Sequence, residues 1–128
     1  MNPLQPPLPP EFSDNLRSLE EQLRQRIFAD AKTQLSNLEA MEALWHLFVA
    51  QSSVHLLFVE MDDMKRLNNE FGHDNADLFL VKLGSILKEL CSNEIYAFHV
   101  SGDEFFVVAC NLSSLKVTDL AVRIIRET

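Results

Sequence analysis

Beyond Pro10 the chain has no proline. All five prolines (Pro3, Pro6, Pro7, Pro9 and Pro10) fall within the first ten of its 128 residues. The rest is therefore free of the residue that breaks helices and central strands. The contrast marks a boundary between a polyproline-like tail and a folded body. Residues 1–12 read as a disordered leader, whose PxxP spacing would also suit a proline-motif partner. Cysteine is scarce too. Cys91 and Cys110 are far apart and sit inside apolar runs, with no CxxC or Cys/His spacing, so a cysteine-based metal site is not expected. Two buried, reduced thiols are the expectation. Positive charge is in short supply, with 11 Lys and Arg against 19 Asp and Glu and a net charge of −8. That argues against a nucleic-acid partner, which is held by neutralising phosphates. It leaves room for a nucleotide carried by Mg²⁺, because the metal brings its own charge. No run approaches the roughly 20 apolar residues of a membrane span. The start lacks the basic residues and apolar core of a signal peptide, so no membrane span is expected and cytoplasm is the default location.

What is present is enough apolar material, 47% of the chain, for one domain with a sizeable core. Residues 13–29 read as a helix with Ser13 as cap and Leu16, Leu19, Leu23 and Ile27 in one stripe. This stripe could pack on the domain body or on a second copy. A second helix is expected over 37–50, with Trp45 in the core. Val54 to Met61 reads as a strand that is apolar almost throughout, as in strands covered on both faces. A short helix over 64–70 should end at Gly72, and a long one should run over 75–91, with Leu78, Val81, Leu83, Ile86, Leu87 and Leu90 on its apolar side. Residues 95–100 and 105–110 read as a hairpin. A last helix begins at Ser113 or Ser114, with Leu115, Leu120, Val122, Ile124 and Ile125 as its apolar set.

The chemistry-bearing residues gather at two places. Residues 101–105, Ser-Gly-Asp-Glu-Phe, form the hairpin tip, with Asp103 and Glu104 adjacent. Residues 60–77 read EMDDMKRLNNEFGHDNAD. Glu60 and Asp62, two apart at a strand end, point to the same side. If the tip sits beside that strand end, several carboxylates share one point and repel unless a cation is bound. Mg²⁺ takes such oxygen ligands and keeps phosphate oxygens in its shell. Lys65 opens the following helix, where free N–H groups attract phosphate.

These two segments resemble the GGDEF domains of bacterial diguanylate cyclases, whose usual strings are close to DIDxFKxINDxxGHxxGD and GGDEF. The spacing of Lys65, Asn68, Gly72-His73 and Asp77 agrees with the family, and Asp30 to Asn37 is similar to its opening DxLTGLxNR. The resemblance covers about residues 30 to 126. It implies an α+β fold, an antiparallel-rich sheet flanked by helices like the core of nucleotide cyclases and polymerase palms, here short at its C-terminus. The implied domain is 30–128, with 13–29 as a linker helix. The implied function is GTP and Mg²⁺ (or Mn²⁺) binding, with conversion of two GTP to cyclic di-GMP and pyrophosphate in the intact parent. The alternative is a catalytically inactive domain used for signalling or dimerisation.

By resemblance the metal ligands fall on Glu60, Met61 and Asp103. The catalytic acids are Asp103 and Glu104. The triphosphate falls to Asp63, Met64 and Lys65, and guanine to Asn68 and Asp77. The implied partners are GTP, a second copy in a homodimer, and an upstream sensor or other protein. Departures accompany the match. Glu60 stands where the family has Asp and extends the carboxylate by about 1.5 Å. Ser101 replaces a glycine, and would cost about 1 kcal/mol or more if that position needs φ > 0. Ser92 and Ile95 occupy the positions of the product-inhibition RxxD, so that site is expected to be absent. His99 stands where an arginine is common. The family's later section, which holds a triphosphate-binding lysine and arginine and a neighbouring strand, has no counterpart here. The expectations are a poor or inactive cyclase and an exposed sheet edge.

Overall fold

The computed structural model describes residues 16–23, 33–61 and 64–127. The proline-rich leader, Ser13, the 24–29 stretch, Asp30 to Lys32, and Asp62 and Asp63 lie outside the described residues. Among the described residues, eight elements run in chain order: α1 (Leu16–Leu23), β1 (Ser36–Asn37), α2 (Leu38–Val49), β2 (Val54–Glu60), α3 (Met64–Leu90), β3 (Ile95–Ser101), β4 (Glu104–Cys110) and α4 (Ser114–Glu127).

Local signals explain most boundaries. Asn37 caps α2, its side chain accepting from the Ala40 N–H at 3.0 Å, as short polar side chains do at helix starts. Ser113 plays that part for α4, accepting from the Lys116 N–H at 3.2 Å. Gly72 interrupts α3 at φ 82, ψ 163, a conformation open to glycine and strained for other residues, so the short and long helices expected from the sequence meet at a kink.

The strands form one four-stranded sheet in the order β1-β3-β4-β2. β3 and β4 pair antiparallel as the hairpin, β2 pairs antiparallel with β4, and β1 pairs parallel with β3. Helices cover both faces. On one, Leu19 of α1 and Ala40, Met41, Leu44 and Phe48 of α2 pack on Tyr96, Phe98, Val108 and Cys110. On the other, Leu80, Leu83, Leu87 and Leu90 of α3 and Leu120 and Ile124 of α4 pack on Ala97, Phe105 and Val107. Alternate residues of each strand thus supply opposite cores. α1 docks on the domain body through buried Leu19 and a hydrogen bond from the Ser36 hydroxyl to the Glu20 carboxylate.

Four expectations are corrected. β2 is not covered on both faces. It is an edge strand, and Leu56 and Phe58 are 45% and 52% exposed, because α2 lies over β3 and β4 rather than over the last strand. Trp45 is not a core residue but is 38% exposed, since Met41, Leu44 and Phe48 form the face of α2 that meets the sheet. Leu78 and Val81 on α3, and Leu115, Val122 and Ile125 on α4, are likewise exposed. The core stripe of α4 is Val117, Leu120 and Ile124, at helical spacing. Ser101 needs no positive φ. That conformation belongs to Gly102, at φ 42, so serine carries no left-handed strain.

Candidate functional site

The pairing of β2 with β4 brings the two sequence clusters together. Glu60 is the register partner of Glu104. Directly opposed residues share a face of a sheet, so two carboxylates stand side by side. One step further on, the Met61 N–H donates to the Asp103 carbonyl at 3.2 Å. The acids of the first motif and those of the hairpin tip therefore lie at one end of one ladder. Glu60 is exposed, while Asp103 and Glu104 are half-buried.

Met64, Lys65 and Asn68 lie in the first two turns of α3, which starts next to this end of β2. Asp77 is half-buried in the same helix beyond the kink at Gly72. Asp63 lies outside the described residues. Among the described residues, no three Asp, Glu, His or Cys side chains gather closely enough to hold a metal ion on their own.

A residue to which sequence reasoning gave no role shapes the tip. His99 is buried, and its Nε2 is 2.8 Å from the Gly102 carbonyl. Its ring stacks on that of Phe105, centroids 4.7 Å apart at 27°. The available signal was its place two residues before the turn, next to an apolar run.

The other end of the sheet is closed differently. The Asn111 N–H donates to Ser53 O at 2.9 Å and the Cys110 N–H to Glu94 O at 2.7 Å. The Asn111 side chain bridges Ser53 and Gln51. Tyr96 donates its hydroxyl to Asn93 O at 2.8 Å, and burial pushes that hydroxyl well above its usual range. Burial also raises the Cys110 thiol. Neither cysteine forms a disulfide; Cys110 is buried as expected, whereas Cys91 is half-buried. No described helix is long and apolar enough to cross a membrane.

Comparison with known proteins gives a consistent picture. The family model for the diguanylate cyclase GGDEF domain matches residues 15–128. Among curated relatives, the diguanylate cyclase DgcP of Escherichia coli is 34% identical over 116 residues, which is 87% of this chain and 34% of that protein. A diguanylate cyclase of Vibrio cholerae is 30% identical over 98 residues, 73% of this chain and 30% of its own length. The chain thus spans about a third of these relatives. Among solved structures, the coiled coil and GGDEF domain of DgcB from Caulobacter crescentus, in complex with c-di-GMP, matches with a TM-score of 0.73 at 21% identity, over 85% of this chain and 60% of that one. Diguanylate cyclase SiaD from Pseudomonas aeruginosa, in complex with its activator SiaC, matches at 0.72 and 22%, over 88% and 45%. At these identities the two structures establish the fold.

Proposed function

The chain belongs to the diguanylate cyclase GGDEF domain family, and on that premise we propose that the end of the sheet carrying Glu60, Met61, Asp103 and Glu104 binds GTP with Mg²⁺ or Mn²⁺. The observation that carries this reading is the β2–β4 register, which sets Glu60 opposite Glu104 and Met61 against Asp103. Mg²⁺ in nucleotide sites takes one or two carboxylates plus substrate phosphate oxygens. The donors here are carboxylates and a backbone carbonyl, all hard oxygen ligands, so they fit. Glu60, the Met61 carbonyl and Asp103 would hold the metal. When bound, it would offset the triphosphate charge and polarise the reacting phosphate.

The chain's own groups do the rest. The start of α3, with Asp63 and Met64 leading into Lys65, offers N–H groups and an ammonium to the triphosphate. Asn68 and Asp77 read guanine, the carboxylate accepting from N1–H and the 2-amino group. Asp103, with Glu104 beside it, accepts the proton of the attacking 3′-hydroxyl. A bond forms from that oxygen to the α-phosphate of a second GTP, and the bond to pyrophosphate breaks. Two loaded domains must face each other, so conversion to cyclic di-GMP requires a homodimer of the intact parent. Residues 13–29 would link the domain, residues 30–128, to a sensor or other protein partner.

Calorimetry with Mg²⁺ tests the site. GTP should bind more tightly than ATP. Asp77→Ala should lose about 1–3 kcal/mol of the guanine preference, because it leaves a donor unpaired. Lys65→Ala should weaken both nucleotides alike. Equal binding of GTP and ATP, or binding of neither, would overturn the reading.

One observation favours a second reading, an inactive interaction module. Ser53 and Met61 bond to the β4 side. By the alternation of an antiparallel ladder, the backbone groups of Val54, Leu56, Phe58 and Glu60 then point away from β4. Among the described residues nothing pairs with them. Such an edge accepts another strand, and absence of nucleotide binding would favour this use.

A further inference from the structure

β3 is irregular where it approaches the tip. His99 pairs with Phe105 but Ser101 pairs with Glu104, so the register shifts across Val100. A shift of this kind leaves a residue out of the ladder and re-aims the residues beyond it. At the turn, Gly102 adopts φ 42. A tip built this way would swing unless something replaced the lost ladder bond, and His99 does so.

We propose that His99 is a positioning residue: it holds the Gly102 carbonyl so that Asp103 and Glu104 are presented in one arrangement. The nucleotide part of this proposal rests on the function proposed above. A carbonyl oxygen only accepts, so Nε2 carries the hydrogen. The ring itself is a firm support, being 9% exposed and stacked on Phe105, which is fully buried.

The second hold comes from the neighbouring strand, where Met61 N–H donates to the Asp103 carbonyl. The peptide unit entering Asp103 is thus tied by His99 and the one leaving it by Met61. What remains free in Asp103 is its side-chain torsions. Octahedral Mg²⁺ tolerates little misplacement of its ligands, and a functional group must be held within about 0.5 Å by its surroundings.

The test uses the full chain, labelled for NMR, with His99→Phe and His99→Gln. The first keeps an aromatic ring on Phe105 and removes the donor; the second keeps an N–H donor. In the unaltered protein, the His99 nitrogen shifts should show hydrogen on Nε2, and Nε2 without hydrogen overturns the proposal. In His99→Phe the order parameter of the Asp103 amide should fall from about 0.85 to below about 0.6, while the far strands keep theirs. Mn²⁺ binding in the presence of GTP, measured by electron paramagnetic resonance, should weaken by about tenfold or more. His99→Gln should recover part of both losses. An Asp103 amide as ordered in His99→Phe as in the parent overturns the proposal. If the parent binds no Mn²⁺ with GTP, the nucleotide reading fails by itself, and the order parameter still decides whether His99 holds the tip.

Discussion

The β2–β4 ladder ends in two ways. At Ser53 and Asn111 it is closed by neutral groups with overlapping bonds: two between these residues, one from Asn111 to Gln51, and a third strand end tied in through Cys110 and Glu94. At Glu60 and Glu104 it ends on two carboxylates face to face, with one backbone bond beyond them among the described residues. Like charges directly opposite in a sheet are destabilising. One end is arranged for stability. The other keeps an unfavourable pairing of a kind that a cation would reverse, and it is the end where both family motifs fall.

Substitutions should separate the two ends. The largest effect belongs to neither end but to the core between them. Phe98 is fully buried and meets Phe48 edge-on at 5.9 Å. Phe98→Ala should cost about 3–5 kcal/mol in urea unfolding, and a loss under 1 kcal/mol would mean that the core closes over the gap. Next is Asn111, which sits at φ 61. Asn111→Ala should cost about 1–2 kcal/mol from left-handed strain alone, read as a lower unfolding midpoint with unchanged slope. The smallest effect has the opposite sign. Glu60→Gln removes one of the facing charges and should raise stability by no more than about 1 kcal/mol, while weakening Mn²⁺ binding with GTP. Destabilisation by Glu60→Gln would erase the contrast between the ends.

The hairpin was legible because its signal is local. Apolar runs over 95–100 and 105–110 flank a turn, and the observed strands extend them by a residue at the tip. The extents of the helices over 38–49 and 114–127 were readable too, but not the faces they bury, since Trp45, Leu115, Val122 and Ile125 are exposed. β1 was not. Two residues, Ser36 and Asn37, carry no periodicity, and they form a strand only because Phe98 and His99 lie alongside. Nor could the runs reveal that β2 is an edge. Leu56 and Phe58 look like core residues until the strand order is known. At the site, the resemblance marked Glu60, Asp103 and Glu104, and the register sets Glu60 opposite Glu104. The hold of His99 on Gly102 was invisible, because it depends on a ring reaching around a register shift.

β4 lies between β3 and β2 and is bonded on both sides. To free it, two ladders must part and both buried cores must be breached, since Phe105 and Val107 belong to one and Val108 and Cys110 to the other. Openings of that extent cost nearly the full unfolding free energy. Val107 and Val108 lie inside this strand and are buried on opposite faces, so their amides keep time with the whole domain, opening once per unfolding event rather than with the faster breathing of a loop, and Glu104, the first residue of the strand, is mounted on that frame.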